Sequence, residues 1–413
     1  MEKNMLVIGH TFPEPLTTAA GQRMSQLLQV FKDEHYAITF ATTAAPSPYS
    51  MELDDQGFSV ETIHLNDSGF DGMLRHLNPT VVMFDRFVTE EQFGWRVAET
   101  CPNAMRILDT EDLHFLRKAR EEAHRKGYEV TKANLYTDAA KRELASILRC
   151  DLTLIISQVE YGLLQSVFRV PDDILHYLPL MVDISAQTEK NRLPTYVERR
   201  DFVTIGNLRH APNVDSVLYL KHDIWPLVRK ALPSAKLKVY GAYAPQRISA
   251  LHSPKEGFFI EGWTPNALTV LENARVCLAP LRFGAGQKGK LLDAMRAGTP
   301  FVTTSIGAEA MVKDGSSCDY VQDTPEGLAE AAVNLYQHQS PWETAQDAGF
   351  ERIGSIFDRK LHVAQFNKRI EAMMWTLAEH RQNHFLGQVL HHQTLQSSKY
   401  MSKWIEAKKG ENR

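Results

Sequence analysis

The chain has few cysteines and no long apolar run. Four cysteines are scattered over 413 residues, at Cys101, Cys150, Cys277 and Cys318, and none forms a C-x-x-C pair. This pattern argues against a disulfide framework and favours a reducing compartment. No stretch approaches the ~20 apolar residues that a membrane-spanning helix needs, and the first residues are too acidic and too short for a signal peptide. We therefore expect a cytoplasmic protein with, at most, peripheral contact to the inner face of a membrane.

The chain also lacks a large excess of charge of either sign. The chain has 46 Lys and Arg against 50 Asp and Glu, a net charge of −4, so no basic excess points to nucleic acid as a partner. Metal motifs are lacking too: no Asp-x-Asp occurs, and we interpret His380, His384, His391 and His392 as surface histidines, since no glutamate stands between the first two. We expect no metal and no cofactor. The length itself favours about two domains.

Short apolar runs alternate with helical patterns in two blocks. Because parallel strands covered by helices on both faces give uninterrupted apolar runs, we predict two doubly wound, Rossmann-like parallel sheets of the α/β class. One long helix is predicted from about Leu116 to Leu148. The predicted strands are Met5–Gly9, Tyr36–Phe40, Val60–Ile63, Val81–Phe84, Met105–Leu108 and Leu152–Ile156 in the first block, and Phe202–Gly206, Leu237–Tyr240, Phe258–Ile260, Val276–Leu278, Phe301–Val302 and Tyr320–Val321 in the second.

The aperiodic stretch 182–200 divides these blocks. We predict an N-terminal domain over 1–181, a linker over 182–200, a C-terminal domain over 201–360 and helices over 361–413 that pack back on the body. The tail carries Phe385, Leu386, Val389 and Leu390, then Tyr400, Met401, Trp404 and Ile405, at helical spacing. We expect these side chains to pack on the parent chain rather than on a membrane or a partner. Two such domains would hold a ligand in the crevice between them.

The most informative stretch is 279–300, where an apolar strand runs into a loop with Gly284 and Gly286 and then into a short helix. Glycines let a backbone approach a ligand closely, and the first turn of a helix offers unpaired N–H groups to phosphate. Lys290 and Asp293 lie three residues apart on that helix and so share a face. A cation for a diphosphate beside a carboxylate for ribose hydroxyls would suit a sugar nucleotide. The alternative is an ordinary strand, loop and helix with solvated charges.

Two further loops are candidates for contacts with a substrate. Asp109, Asp112 and His114 follow the strand Met105–Leu108, and Asp112 or His114 could orient hydroxyls, although Asp112 could equally cap the next helix. The loop before Gly21 opens the helix that carries Arg23. Its place at the mouth between the domains suits contact with an acceptor or a phosphate.

The run Phe202–Asp358 resembles the donor domain of GT-B glycosyltransferases, specifically the large retaining family with an E-x7-E motif (glycosyl transferases group 1). The resemblance rests on several segments in order. They are Phe202-Val-Thr-Ile-Gly-Asn-Leu-Arg-His-Ala-Pro-Asn-Val-Asp215, Ile224-Trp-Pro-Leu-Val228, Val239-Tyr-Gly241, Ile260-Glu-Gly-Trp263, Ala279–Pro300 and Thr303-Thr-Ser-Ile-Gly-Ala-Glu309. The first block matches less distinctly, around Phe12-Pro13, Ala20–Arg23 and Leu108–His114.

The resemblance implies a cytoplasmic, metal-independent retaining transferase of the polysaccharide-biosynthesis type. It would move a sugar from a nucleotide-diphospho-sugar to a glycan or lipid-linked acceptor. The family places an arginine near the diphosphate at Arg209, the motif lysine at Lys290, the second motif acid at Asp293 and base contacts at the strand end near Gly262. With these it implies donor contacts from Gly206, Gly284, Gly286 and Lys288, and a sugar contact near Asp109, Asp112 and His114.

The chain departs from the family's pattern at three points. No glutamate stands where the first motif acid belongs, aspartate replaces glutamate at Asp293, and the lysine that the family usually carries a few residues after the arginine is missing after Arg209. These departures keep two alternatives open: a non-catalytic GT-B module that scaffolds a glycan-assembly complex, and a GT-B sugar-nucleotide epimerase.

Overall fold

A computed structural model describes residues 3–184, 190–312 and 320–411. Cys318 and the middle of the expected linker, 185–189, lie outside these ranges. The described chain forms two domains, each built on one parallel sheet.

The N-terminal domain has a parallel sheet of seven strands in the order β3-β2-β1-β4-β5-β6-β7. Its strands are β1 (Asn4–Gly9), β2 (Ala37–Thr42), β3 (Ser59–Thr62), β4 (Val81–Asp85), β5 (Met105–Asp109), β6 (Leu152–Ile155) and β7 (Leu175–Tyr177). Its helices are α1 (Ala19–Asp33), α2 (Gly69–Leu77), α3 (Phe87–Thr100), α4 (His114–Lys126), α5 (Asp138–Arg149) and α6 (Gln158–Ser166). The central strands β1, β4 and β5 are almost wholly buried, as sheets covered on both faces require.

The expectation of one helix over 116–148 is wrong. Gly127 ends α4 in the left-handed conformation, with φ 72°, which is the usual way for glycine to terminate a helix. Thr137 then caps α5 by accepting a hydrogen bond from the N–H of Ala140. The sequence pattern also missed β7, which is three residues long.

The C-terminal domain has a five-stranded parallel sheet in the order β10-β9-β8-β11-β12. Its strands are β8 (Arg200–Ile205), β9 (Leu237–Tyr240), β10 (Phe258–Gly262), β11 (Ala274–Ala279) and β12 (Phe301–Thr303). Its helices are α7 (Ala211–Tyr219), α8 (Trp225–Ala231), α9 (Gln246–Ser249), α10 (Ala267–Asn273), α11 (Gly289–Arg296), α12 (Ser305–Ala308), α13 (Pro325–Gln337) and α14 (Gln339–Ile356). The expected strand at Tyr320–Val321 is a single bridge between Val321 and Thr303.

The chain then returns to the N-terminal domain through α15 (Arg359–Trp375), α16 (Leu377–Asn383) and α17 (Phe385–Glu411). Phe366, Ile370 and Met373 of α15 share one apolar core with Met5 and Val7 of β1, while α17 lies against α3 and α5. The crossing at 357–359 is hydrogen-bonded to the first crossing, because the N–H of Val182 donates to Phe357 O at 2.7 Å and the N–H of Arg359 donates to Val182 O at 2.9 Å.

The described end of the expected linker, residues 190–200, packs on the C-terminal domain. The guanidinium of Arg199 is buried and donates to the carbonyls of Pro194 and Ala297 and to the hydroxyl of Thr299. This part of the segment is therefore anchored rather than free, although its sequence has no helical or strand periodicity.

Candidate active site

The two sheets place their switch points toward each other. In each domain the strand order reverses between its first strand and its fourth, at β1/β4 and at β8/β11, and in open α/β sheets ligands bind outside the carboxyl ends of the strands at this point. Gly206 follows β8 directly, and the glycine loop at Gly284–Gly286 follows β11. The carboxyl ends of the sheets thus bring most of the expected donor residues to the side that faces the N-terminal domain.

The glycine loop is pressed against the N-terminal domain. A Cβ added at Gly286, whose φ is +64°, would lie 2.9 Å from Cβ of Asp112, so only glycine fits at this interface. The N–H of Gly286 donates to Oε1 of Glu160 at 2.8 Å. Gly284 has φ +150°, and its carbonyl accepts a hydrogen bond from Arg120 at 2.9 Å. The domains therefore meet through the loop that was expected to bind phosphate.

Lys290 lies beside Gly206, and glycine makes that position possible. The ammonium of Lys290 donates to Oδ1 of Asn213 at 2.8 Å, and a Cβ at Gly206 would come within 3.0 Å of that ammonium and 2.8 Å of Nδ2 of Asn213. Burial lowers the pKa of Lys290 to about 8. A cation held next to exposed backbone at a switch point is suited to binding an anion.

Lys288, at the N-cap of α11, is buried and points back into its own loop. Its ammonium donates to Gly286 O at 2.7 Å. Burial lowers its pKa, and the nearby carboxylates of Glu309, Glu160 and Asp112 act in the opposite direction. Lys288 thus places a charge inside the loop and beside three acids.

Arg209 is exposed at the end of the loop that follows β8. Its guanidinium lies over the ring of Tyr243, 3.5 Å from the ring centroid, and the hydroxyl of Tyr243 donates across the cleft to Oε1 of Glu14 at 2.9 Å. Arg209 and Lys290 both border the loop 206–213, since the N–H of Arg209 donates to Oδ1 of Asn207 and Asn213 contacts Lys290. The two cations flank one loop that faces the N-terminal domain.

Asp293 lies one turn beyond Lys290, on α11. Its carboxylate accepts from Arg296 at 3.3 Å. Burial raises its pKa, against the opposing effects of Arg296 and of a hydrogen bond with Gln22 of α1. In this closed arrangement Asp293 therefore contacts the N-terminal domain. Gly262 ends β10 with φ +77° and has no atom within 4 Å of its Cβ position, so the strand end is open there.

Asp112 and His114 lie at the start of α4, next to the glycine loop. Nε2 of His114 is 3.5 Å from Oδ1 of Asp112, and Arg117 is 3.2 Å from Oδ2. Burial would raise the pKa of Asp112, but Arg117, His114, His210 and Arg86 outweigh it and lower the pKa. Burial, with Arg117 and Arg86, lowers the pKa of His114 to about 4 against the pull of Asp112. At neutral pH the pair is therefore a carboxylate beside a neutral imidazole. Asp112 is not the helix cap, because Leu113 holds that position.

Two expectations for the N-terminal domain are wrong in position. Arg23 and Asp109 do not reach the cleft: both are buried, Nε of Arg23 donates to Oδ1 of Asp109 at 2.8 Å, and Nη1 donates to Leu178 O at 2.6 Å. Two oppositely charged groups that each looked like site residues thus pair with one another, while Nη2 of Arg23 and Oδ2 of Asp109 are buried without a hydrogen-bond partner. A buried pair of this kind tolerates the loss of neither partner.

Gly21 allows close packing of the backbone rather than binding an anion. Its N–H donates to Oγ1 of Thr18 at 2.8 Å, and a Cβ would lie 2.4 Å from the carbonyl carbon of Glu14. The loop does reach the mouth between the domains, because a Cβ at Gly289 would lie 2.8 Å from Cβ of Ala19.

Glu160 and Arg120 are site residues that the sequence analysis missed. Oε1 of Glu160 accepts from the N–H of Leu113 at 3.1 Å as well as from Gly286, while Oε2 is buried without a partner. Burial and the carboxylate of Asp112 raise the pKa of Glu160 to about 8. Arg120 holds Glu309 through hydrogen bonds of 3.0 and 2.7 Å. More than a hundred residues separate Glu160 from Gly286 and Arg120 from Glu309, so no local pattern could have shown these contacts between the domains.

Two of the four histidines of the tail differ from expectation. His384 and His391 are buried, where Nε2 of each contacts a backbone carbonyl, of Leu148 and Arg149 respectively, at 2.7 Å. They are structural residues rather than surface ones. Within the described ranges, no group of three or more His, Cys, Asp or Glu side chains is placed to hold a metal ion, and none of the helices searched is long and apolar enough to cross a bilayer.

The hollow beside Lys290 is small. It is lined wholly by residues of the C-terminal domain, among them Gly206, Asn213, Tyr240 and Lys290, and it has no room for a nucleotide sugar.

Comparison with known proteins agrees with this geometry. Residues 199–338 match the family described as glycosyl transferases group 1. Sucrose-phosphate synthase from Thermosynechococcus elongatus superimposes with a TM-score of 0.69 at 14% identity, over 91% of this chain and 100% of that one. Anabaena HepE in complex with UDP and glucose gives 0.64 at 11% identity, over 89% and 99%. The pneumococcal O-GlcNAc transferase GtfA in complex with UDP and GlcNAc gives 0.63 at 13%, over 90% and 99%.

Two parallel-sheet α/β domains that face each other in this way define a GT-B protein. The match to glycosyl transferases group 1 lies in the C-terminal half of the chain, over residues 199–338. Comparison with curated protein sequences gives no match.

Proposed function

We propose that this chain is a retaining glycosyltransferase that moves a sugar from a nucleotide-diphospho-sugar to a glycan or lipid-linked acceptor without a metal ion. One observation carries the proposal. At the switch point of the C-terminal sheet, the ammonium of Lys290 lies beside Gly206, and the glycine loop that precedes α11 lies next to it. Two structural neighbours were crystallised with UDP and a sugar, which supports a nucleoside diphosphate as the leaving group.

Departure of the diphosphate requires stabilisation of its developing negative charge. Lys290, Arg209 and the N–H groups at the start of α11 lie on the same side of the C-terminal sheet, so they can supply cations and hydrogen-bond donors that are already in place. Electrostatic stabilisation by fixed groups needs no metal ion. The absence of any Asp-x-Asp in the sequence agrees with that mechanism.

The sugar and the acceptor would lie between the glycine loop and the start of α4. The ionised carboxylate of Asp112 faces that loop, where it can accept a hydrogen bond from a sugar or acceptor hydroxyl. The neutral imidazole of His114 offers a second acceptor or donor. In this proposal no protein nucleophile is used, and the leaving phosphate takes the proton of the attacking hydroxyl on the same face of the sugar, which retains the anomeric configuration.

Binding must begin with the domains apart. The N–H of Gly286 is taken by Glu160 and the carbonyl of Gly284 by Arg120, so a diphosphate reaches the loop only after these contacts open. The hydrogen-bonded crossings at Val182 and 357–359 are the two connections about which such a movement would turn.

The test is a panel of nucleotide sugars offered to the purified chain. Thermal shift identifies the donor, because a ligand that binds only the folded protein raises the melting temperature by mass action. Turnover with that donor is then followed by NMR of the anomeric proton of the product. The expected result is stabilisation by one nucleoside diphosphate and its sugar, with transfer that keeps the donor's anomeric configuration.

Three other results would change the assignment. No binding of any nucleoside diphosphate removes the proposal altogether. Binding without transfer or hydrolysis assigns the chain to the non-catalytic modules, which the missing first motif acid allows. An inverted product removes the retaining mechanism and leaves the transferase.

A further inference from the structure

The last helix, α17, has its polar and apolar faces arranged in the opposite way to an ordinary surface helix. Its 27 residues span about 40 Å, and one face packs on the N-terminal domain while the opposite face meets solvent. Among the side chains that the structure describes, the packed face is mainly polar, whereas apolar side chains near both ends of the helix face solvent, with His392, Gln393 and Ser397 exposed between them. Burial on the parent chain therefore does not explain these apolar side chains.

The packed face is made of hydrogen-bonding groups. His391 and Ser402 lie about three turns apart on one line of the helix, and both are buried. Arg96 of α3 donates to Oγ of Ser402 at 3.0 Å and pairs with Glu406. This side of α17 is held by polar contacts to α3 and α5.

The opposite face carries six large apolar side chains that are 39% to 69% exposed. They are Phe385, Leu386, Val389, Tyr400, Met401 and Trp404. Leu386 and Trp404 are about five turns apart on one line, and Trp404 is two residues from Ser402, which places that line on the far side of the helix. These are six of the eight residues that the sequence pattern assigned to packing on the parent chain, and for these six the assignment is wrong; the other two, Leu390 and Ile405, are partly buried.

The charged side chains of this helix also differ between its two faces. Lys403 and Lys408 are exposed, and the ammonium of Lys408 lies 4.0 Å from the centroid of the Trp404 ring. Among the side chains of α17 that the structure describes, the acid is Glu406, and it is turned inward to Arg96. The outward face therefore combines aliphatic, aromatic and cationic groups.

We propose that the outward face of α17 docks on an anionic lipid surface. Tryptophan and tyrosine favour the boundary between headgroups and acyl chains, and a helix that lies in this boundary buries one apolar face while lysines attract anionic headgroups. A protein partner would need no particular charge, whereas the lysines beside Trp404 and the inward turn of Glu406 match a negative surface. This proposal does not depend on the activity of the donor site.

The test is co-sedimentation of the full chain with vesicles of phosphatidylcholine alone or mixed with phosphatidylglycerol. The wild type should sediment with the anionic vesicles and not with the neutral ones, and the bound fraction should fall as salt rises, because the Debye length shortens. The double variant Met401→Glu, Trp404→Glu should lose at least tenfold in vesicle affinity. The variant Lys403→Gln, Lys408→Gln should lose severalfold.

The matched control is Val197→Glu, Leu227→Glu, which adds the same two charges at exposed apolar residues outside α17 and should bind as the wild type does. Circular dichroism confirms that each variant is folded. Absence of binding to anionic vesicles, or unchanged binding by the Met401→Glu, Trp404→Glu variant, overturns the proposal. So does a wild-type dimer in analytical ultracentrifugation that the same variant converts to a monomer, since a second copy would then cover this face.

Discussion

The N–H of Gly286 in the C-terminal domain donates to the carboxyl group of Glu160 in the N-terminal domain at 2.8 Å. This one hydrogen bond joins the loop expected to bind phosphate to the start of α6, 126 positions away. Glu160 thus accepts the hydrogen bond from the same N–H of Gly286 that a phosphate oxygen would use. In the closed cleft this N–H is therefore not free to bind a diphosphate.

Glu160→Gln should flatten the pH dependence of stability. In the folded chain the carboxyl keeps its proton up to about pH 8, whereas in the unfolded chain it loses the proton near its ordinary pKa of 4.5. The folded state binds more protons between these values, so the stabilising contribution is present below pH 4.5 and is lost as pH rises to 8, at up to ~1.4 kcal/mol per pH unit. Urea unfolding of both proteins from pH 5 to 8 measures the slope.

Glutamine keeps an oxygen for both N–H donors and has no proton to lose, so its curve should decline less steeply than that of the wild type. Glu143 has its pKa raised to about 8 by burial as well, and it still titrates in the variant. Parallel curves for wild type and Glu160→Gln would contradict the burial argument. Glu160→Ala, by contrast, should widen the cleft, visible as a larger radius of gyration in solution scattering.

Lys290 should give nucleoside diphosphate binding an alkaline limit. Its pKa of about 8 means that the ammonium is charged at pH 7 and loses its charge as pH rises, so affinity should fall above pH 8. Lys290→Ala should lose about 10- to 100-fold at pH 7, the value of ~1.5–3 kcal/mol for a hydrogen bond to a charged group. Calorimetry from pH 7 to 9.5 provides the measurement.

Lys290→Arg separates charge from shape. Arginine stays protonated over this range, so its affinity, whatever its value at pH 7, should not change up to pH 9.5. Lys255→Ala removes an exposed lysine of the same domain and should bind as the wild type. An alkaline fall that persists in Lys290→Arg would assign the titration to another group.

A methyl group at Gly206 should displace Lys290. The new Cβ would lie within 3.0 Å of the ammonium of Lys290 and of the amide of Asn213, so Gly206→Ala should weaken diphosphate binding by about tenfold or more. Gly354→Ala is the matched control, because nothing lies within 4 Å of its Cβ position in α14. That variant should keep its affinity and gain up to ~1 kcal/mol of stability. If Gly206→Ala and Gly354→Ala bind the diphosphate with equal affinity, the position beside Gly206 and Lys290 has no role in binding the donor.

How much of the fold and of the candidate site the sequence could predict depends on how far apart the contacting residues lie in the chain. The strands and the loop from Ala279 to Pro300 were predictable, since apolar runs and glycines act locally. Lys290 and Asp112 were found because each follows a predicted strand. Glu160 and Arg120 were not, since their partners are distant in sequence. Arg23 and Asp109 looked like site residues for the same reason: the pattern shows charge near a strand end but not whether another charge neutralises it.

The Arg23–Asp109 pair should therefore behave as a structural element. Removing one partner of a buried pair leaves an uncompensated charge, so Arg23→Met or Asp109→Leu alone should cost ~3–5 kcal/mol of unfolding free energy. The double variant should cost less than the sum of the two. Asp138→Ala, which breaks the exposed pair with Lys141, should stay within ~0.5 kcal/mol. A cost below 1 kcal/mol for either single variant would contradict the assignment.

The return of α15 to the first sheet has a consequence for biosynthesis. Phe366, Ile370 and Met373 complete a core that begins at Met5 and Val7, although the ribosome makes these two sets at opposite ends of the message. The domain translated first therefore cannot close its core until the domain translated second has left the exit tunnel. A chain that stops before residue 359 would release a finished C-terminal half attached to an incomplete N-terminal one.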